Sequence, residues 1–130
     1  MTEVQKALAR ALDAWKALDR DGYAEAFASR FTCIHPFGTD TTAQDLHRQV
    51  DNTKKFWSHC DYRIEKVVGD DRHGAVHYVV SMTRRGTDHR IEVPITAMID
   101  VEDGRITHWL EVFDSVPMRK ALKQGRQSAT

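Results

Sequence analysis

The stretch from Tyr62 to Phe113 constrains the fold more than any other part of the chain. Four segments rich in Val, Ile, Thr and aromatic residues, Tyr62 to Val68, Ala75 to Thr83, Arg90 to Val101 and Arg105 to Phe113, are separated by turn-forming clusters. Those clusters are Gly69-Asp70-Asp71-Arg72-His73-Gly74, Arg85-Gly86-Thr87-Asp88 and Glu102-Asp103-Gly104. β-Branched and aromatic side chains suit a pleated, half-buried surface. Links this short join antiparallel neighbours, since a parallel crossover needs about a dozen residues or more. The second half of the chain is therefore expected to be a meander of four long strands.

The first half has a different period. Val4, Leu8, Ala11, Leu12, Trp15 and Leu18 recur at steps of three and four among charged residues, which predicts an amphipathic helix from about 3 to 19. Asp21-Gly22 marks a break, and Tyr23, Ala26 and Phe27 repeat the helical step over a shorter segment. Phe31 to His35 reads as a first strand, and residues 36–41 as a turn-rich loop. Thr42, with Asp45 three residues on, is an N-cap signal for a second long helix presenting Leu46, Val50, Thr53 and Trp57 on one face. Pro117 lies near the start of a closing helical piece. Helices first and a long antiparallel sheet afterwards describe an α+β domain whose helices cover one face of the sheet. If that sheet curves, a cone-shaped cavity opens between its concave face and the helices, and small-molecule sites favour such places.

The 130 residues make one domain, 1–130, with residues 126–130 as a frayed tail. Lys and Arg (19) balance Asp and Glu (19), and no stretch concentrates one sign enough to form a nucleic-acid footprint. A small, neutral or weakly polar partner is expected instead. Cys33 and Cys60 form no Cys-x-x-Cys and read as reduced, packed thiols. Met1-Thr2-Glu3-Val4-Gln5-Lys6 lacks the features of a signal peptide, and no segment approaches the ~20 apolar residues of a membrane span. A cytoplasmic protein free of membrane is the expectation. No His-x-His, His-x-x-x-His or Glu-x-x-His spacing supports a metal site, so neither a metal nor another cofactor is expected.

His35 ends the first strand, followed at once by Pro36, Phe37 and Gly38. An imidazole at a strand rim titrates near neutral pH (unperturbed pKa about 6.5), which makes it the first candidate for a general base. Alternation places Thr107, Trp109, Glu111 and Phe113 on one face of the last strand, two large aromatics flanking a carboxylate. In an apolar hollow Glu111 would either pair with His35 or have its pKa raised by desolvation. His77 faces the hollow only if Val79, Ser81 and Thr83 do. The alternative set is Tyr78, Val80 and Met82, and the spacing around Arg85-Gly86 leaves both open.

The order of elements and the residues at its joints resemble the nuclear-transport-factor-2-like superfamily, in particular its SnoaL-like polyketide cyclase, ketosteroid isomerase and limonene epoxide hydrolase branches. The resemblance spans about residues 3 to 118 and is carried by Asp21-Gly22-Tyr23, by His35-Pro36-Phe37-Gly38 and by the hairpin from Val101 to Asp114. It implies a cone-shaped fold with a curved, mostly antiparallel sheet whose concave face is covered by the N-terminal helices. In the isomerases the strand before Pro-x-Gly ends in the Asp that moves the proton, and His35 stands at the matching position. The matches to their oxyanion-hole Tyr and Asp fall near Ala11 and Thr96, so that pair of donors is missing. Trp109-Leu110-Glu111 is similar to the Trp-x-Asp of the epoxide hydrolases, whose Arg-x-Asp has no match around Tyr78 to Met82. The SnoaL-like cyclases conflict least with this chain.

Together these readings give an expected cofactor-free enzyme that moves a proton on a small hydrophobic metabolite by isomerisation, cyclisation or dehydration. The alternatives are epoxide opening by water and a non-catalytic ligand-binding or dimerisation module. His35 and Glu111 are the expected catalytic residues, and Trp109, Phe113, Trp57, Met98, Tyr23, His77 and Thr96 the expected substrate contacts. The convex sheet face, carrying His108, Leu110 and Val112, is expected to pair two subunits into a homodimer.

Overall fold

Helix α1 (Glu3–Lys16) starts at a reciprocal cap. The Thr2 hydroxyl accepts from the Gln5 amide at 3.1 Å, and the Gln5 side chain accepts from the Thr2 amide at 2.9 Å. The helix buries Val4, Ala7, Leu8, Ala11 and Leu12, the stripe its period predicts. It stops earlier than expected because Leu18 takes a positive φ of 56°. Helix α2 (Arg20–Glu25) then begins at Asp19, whose carboxylate accepts from Gly22 N. Asp21-Gly22 thus lies inside a helix, and the break falls at Leu18. The structure, a computed structural model, describes the backbone of residues 1–128 and the side chains of residues 1–123.

Strand β1 (Phe27–His35) begins four residues before the expected strand, and the expected loop contains a short strand, β2 (Gly38–Asp40), that folds back on β1. Helix α3 (Ala43–Phe56) has the Thr42–Asp45 capping box. Trp57, expected on that helix, is the first residue of β3 (Trp57–Gly69). Strands β4 (His73–Arg84), β5 (Arg90–Glu102) and β6 (Arg105–Val112) complete the meander, and α4 (Val116–Ser128) closes the described chain. The helix therefore includes residues 126–128 of the expected frayed tail, and Ala129 and Thr130 lie outside the described residues.

The six strands form one mixed sheet in the order β2-β1-β6-β5-β4-β3, parallel between β1 and β6 and antiparallel elsewhere. Extra residues interrupt the ladder between Ser58 and Asp61, between Ile64 and Lys66, and in β6 opposite Asp100–Val101. Such bulges bend a strand and increase its twist, which curves the sheet around the helices. The β4–β5 register between them is unbroken from His73–Asp100 to Thr83–Arg90. Its concave side carries Val76, Tyr78, Val80 and Met82 of β4 and Val93, Ile95, Ala97, Ile99 and Val101 of β5, all buried.

This parity corrects three expected substrate contacts. His77 and Thr96 are exposed on the convex face, joined to each other (Nδ1 to Oγ1, 3.0 Å), and Met98 is 60% exposed beside them. Strict alternation in an unbulged strand gives Thr96 and Met98 the same direction as Glu92 and Pro94.

Two turn glycines should respond differently to substitution. A Cβ on Gly69, at φ +134°, would lie 2.2 Å from His73 O, whereas one on Gly86, at φ +82°, meets open space. Gly86→Ala should cost about 1–2 kcal/mol of backbone strain, and Gly69→Ala distinctly more, with His73 forced to move. Chemical denaturation of both variants checks this; equal losses would contradict the steric account.

Candidate active site

Between the concave face and helices α1, α3 and α4 lies a cavity of about 650 Å³. Trp57, Tyr78, Val80, Val93, Ile95, Trp109 and Phe113 form its apolar lining, and His35, Asp40, Gln49 and Glu111 are polar groups among them. A volume of this size and a mostly apolar wall with a few convergent polar atoms are what a small-molecule site offers. Six of the sequence-predicted residues therefore meet around one hollow: His35, Glu111, Trp109, Phe113, Trp57 and Tyr23.

His35 is paired inside its own hairpin. Pro36 and Phe37 make the turn, so that His35 faces Gly38 and Cys33 faces Asp40 in the register. Asp40 accordingly turns to the same side, and its Oδ2 lies 2.8 Å from His35 Nε2, with both side chains largely shielded from solvent. The Phe37 amide donates to His35 Nδ1 at 3.2 Å. A neutral ring that accepts at Nδ1 carries its proton at Nε2, so the imidazole donates to Asp40.

Gln49 of α3 donates to the same Asp40 oxygen at 2.5 Å and accepts from the Tyr23 hydroxyl at 2.9 Å. The weaker contact from Gln49 Nε2 to Cys33 Sγ is 3.7 Å. A continuous chain thus runs from Tyr23 through Gln49 to Asp40 and His35. Burial pushes the Tyr23 phenol upward and the Cys33 thiol up to about 12, which keeps the first a neutral donor and the second an unreactive thiol.

Glu111 is placed by β6. Ala97 lies opposite it in β5, too small to fill the space its side chain enters. The Tyr78 hydroxyl donates to Glu111 Oε2 at 3.3 Å. Desolvation raises the Glu111 pKa from 4.5 to about 7, against smaller lowering effects from His35, Tyr78 and Trp109. The Trp109 indole N–H is near enough to favour the carboxylate electrostatically, yet it makes no hydrogen bond of acceptable geometry and is buried without a partner. Of the two fates expected for Glu111, the raised pKa is the one realised, and the imidazole's hydrogen-bond partner is Asp40. Arg90, a cross-strand cation that could have answered Glu111, bonds instead to Ser81, Thr83 and the His59 carbonyl.

Asp40 and Gln49 are not singled out by the sequence, and Tyr78 enters only as one of two alternative inward-facing sets on β4. Gln49 had a signal, a polar residue three positions after Leu46 on the inward stripe of α3. Asp40 had one only if the Pro36-Phe37 turn is read as a hairpin rather than as loop.

Among the described residues no group of three His, Cys, Asp or Glu side chains is arranged to hold a metal ion. His73 and His77 have the His-x-x-x-His spacing that suits a helix, but on β4 four residues extend the chain by roughly 13 Å. His73 pairs instead with Asp100 at 2.8 Å.

The model of the SnoaL-like domain family matches residues 8–109, and the chain belongs to that family. No curated protein sequence matches it significantly. Among solved structures, an epoxide hydrolase of M. tuberculosis similar to limonene epoxide hydrolase is 19% identical with a TM-score of 0.75, covering 98% of this chain and 94% of that one. A protein of unknown function from Burkholderia pseudomallei, described as nuclear-transport-factor-2-like, is 14% identical with a TM-score of 0.80, covering 94% and 98%. A Xanthomonas campestris protein provisionally described as a polyketide cyclase is 14% identical with a TM-score of 0.75, covering 92% and 96%. At these identities the likeness fixes the fold and leaves the reaction to the residues.

The raised pKa of Glu111 has a consequence for stability. The folded state holds this proton to about pH 7, whereas the unfolded chain releases it near 4.5. Between those values the native state binds the extra proton, so Glu111's contribution to stability falls as pH rises through that window and is level above it. Glu111→Gln should therefore gain on the wild type by about 2–3 kcal/mol between pH 4.5 and 8. Urea denaturation at both pH values tests this, and a difference that stays flat with pH would remove desolvation as the cause.

Proposed function

We propose that this SnoaL-like protein is a cofactor-free enzyme that transfers a proton next to a carbonyl on a small hydrophobic metabolite, in an isomerisation, cyclisation or dehydration. The observation that carries this reading is the unequal treatment of two carboxyl groups lining one apolar cavity. Asp40 accepts hydrogen bonds from His35 and Gln49. Glu111 keeps its proton to about pH 7. Paired titratable groups with such different surroundings divide naturally into a base and an acid.

In this mechanism the His35–Asp40 pair takes the proton. The substrate C–H bond breaks, its proton goes to the pair, and the electron pair moves onto the carbonyl oxygen. The Glu111 carboxyl, steadied by Tyr78, donates its proton to that oxygen. Passing the pair's proton to another carbon while the enol proton returns to Glu111 completes an isomerisation; passing it instead to a β-hydroxyl, which leaves as water as the enol proton returns to Glu111, completes a dehydration. His35 acts within the pair, because its Nε2 hydrogen points at Asp40. Positioned acid–base groups of this kind supply roughly 10²- to 10⁴-fold each. Trp109, Phe113, Trp57 and Tyr23 would hold the substrate.

β-Tetralone, an apolar bicyclic ketone, is a suitable probe. In deuterated buffer the wild type should speed exchange of its α-protons above the buffer rate. Asp40→Asn, His35→Ala and Glu111→Gln should each lower that acceleration at least ~100-fold while the protein stays folded. The rate should also fall as pH rises past about 7, where Glu111 loses its proton. Exchange at the buffer rate, or exchange indifferent to all three substitutions, would sink the proposal.

A second reading, water addition to an epoxide, is favoured by the same acid facing the same base, with Glu111 protonating the ring oxygen and the His35–Asp40 pair activating water. Heavy-oxygen water distinguishes it, since only epoxide opening carries solvent oxygen into the product. A binding module without catalysis is the third.

We also infer a homodimer formed through the convex face, where Met98 and Val112 are 60% and 59% exposed and neighbouring strands carry Leu110 and Pro94. Contiguous apolar surface of this kind favours association. Sedimentation should give twice the monomer mass, and Met98→Lys should halve it; a monomeric wild type at micromolar concentration would end the idea. The buried, unpaired thiols Cys33 and Cys60 support a reducing, cytoplasmic location. No helix among the described residues is long and apolar enough to cross a membrane.

A further inference from the structure

Two acids of the cavity, Asp40 and Glu111, lie among its apolar lining, while α3 and α4 place one further acid, Asp45, and the cations Arg48, Lys55 and Arg119 around it, the cations on exposed positions. Arg48 is answered by Asp45 at 3.4 Å. Lys55 and Arg119 have no carboxylate within ion-pair distance among the described residues. The Lys55 ammonium stands 5.3 Å from the centre of the Phe56 ring, and Phe56 itself lines the cavity.

Helix electrostatics accounts for only part of this. A lysine in the last turn of α3 complements the helix dipole, and Lys54 already does so. Arg119 stands near the start of α4, whose first turn contains no acidic residue. A cation there opposes the dipole. Its placement at the cavity therefore asks for a partner that the chain does not supply.

We propose that the ligand of this cavity is amphipathic: an apolar ring or chain body that ends in a carboxylate or comparable oxyanion, held at the mouth between Lys55 and Arg119. The inference rests on the reading of the cavity as an apolar ligand site. It also orients the ligand. An anion pushed inward would lie beside the Asp40 carboxylate in a medium of low dielectric, where like charges repel strongly. The anionic end stays at the mouth, and the neutral, reactive end reaches the His35–Asp40 pair and Glu111.

Two fluorescent probes that differ by one charged group test this: anilinonaphthalene sulfonate and its uncharged analogue N-phenyl naphthylamine. The wild type should bind the sulfonate roughly fivefold more tightly, the effect of two exposed ion pairs. That preference should vanish near 1 M salt, where screening acts within ~3 Å, and should disappear or invert when Lys55→Glu and Arg119→Glu are combined. Both side chains are exposed and the two reversals act oppositely on the dipoles of α3 and α4, so the double variant should keep the wild-type melting temperature within a few degrees. Equal binding of the two probes by the wild type, or a preference that survives the double reversal, overturns the inference and leaves the apolar cavity standing. Failure of the neutral probe to bind removes the cavity reading as well. Met98→Glu marks the outer face, and a sulfonate affinity that falls with it would place the probe there and overturn the inference too.

Discussion

The whole site depends on which side of the β4–β5 ladder is turned toward the helices. The ladder runs without a bulge, so one choice of face fixes every side chain on both strands at once. Five alternate apolar residues of β5 leave little freedom in that choice. Pairing then sends Tyr78 inward opposite Ile95, and in the neighbouring strand it sets Glu111 opposite Ala97. A carboxyl group is thereby carried into an apolar hollow as a by-product of register. The cost, about 2–3 kcal/mol at neutral pH, is smaller than what the adjoining Trp109 returns, since burying an aromatic of about 200 Å² is worth roughly 5 kcal/mol. The fold can hold a destabilised acid because the same strand supplies its compensation.

The two polar regions of the cavity are unequally satisfied. On the α2–α3–β1–β2 side the chain Tyr23–Gln49–Asp40–His35 closes nearly all of its bonds. Such networks rigidify when complete, and each partner fixes the rotamer of the next. On the β6 side Glu111 has one long hydrogen bond, and the Trp109 indole N–H has none. Buried polar groups left without partners, as the Trp109 N–H is, are expensive. They are also the groups with capacity left for an incoming molecule, so the structure offers a rigid acceptor facing an incompletely satisfied donor.

The sequence made the architecture legible because its periods are strong: steps of three and four in α1 and α3, alternation in β5, and clusters of turn residues between the long strands. Caps were legible where the chemistry is local, as at Thr42 and Asp45. The site was legible in part. His35, Trp109, Glu111 and Phe113 follow from parity in single strands. Register between strands was not, because the connection from Thr83 to Arg90 is too long to set it, and the direction of His77 hung on that. Met98 and Thr96 alternate with the five buried apolar residues of β5, so parity turns both outward, and a family match at Thr96 carries no information about that parity. The Asp21-Gly22 break was misread because the Asp19 cap lies upstream of the glycine and tolerates it within the first turn.

Within a fold shared at 13–20% identity with its structural neighbours, the proposed reaction depends on where this chain carries its carboxylate. Resemblance puts an Asp where His35 stands. Here a carboxylate returns five residues later, because the Pro36-Phe37 turn pairs Cys33 with Asp40 and so turns Asp40 to the same side as the imidazole. A strand-end His alone would be a lone base whose orientation any ligand could change. Bonded at Nδ1 by the Phe37 amide and at Nε2 by Asp40, it has one tautomer and one direction, and the pair can take up a proton as a unit. The hairpin therefore fixes the His35–Asp40 pair through local contacts, and the parallel pairing of β1 with β6 brings Glu111, its pKa raised by burial, to the same cavity.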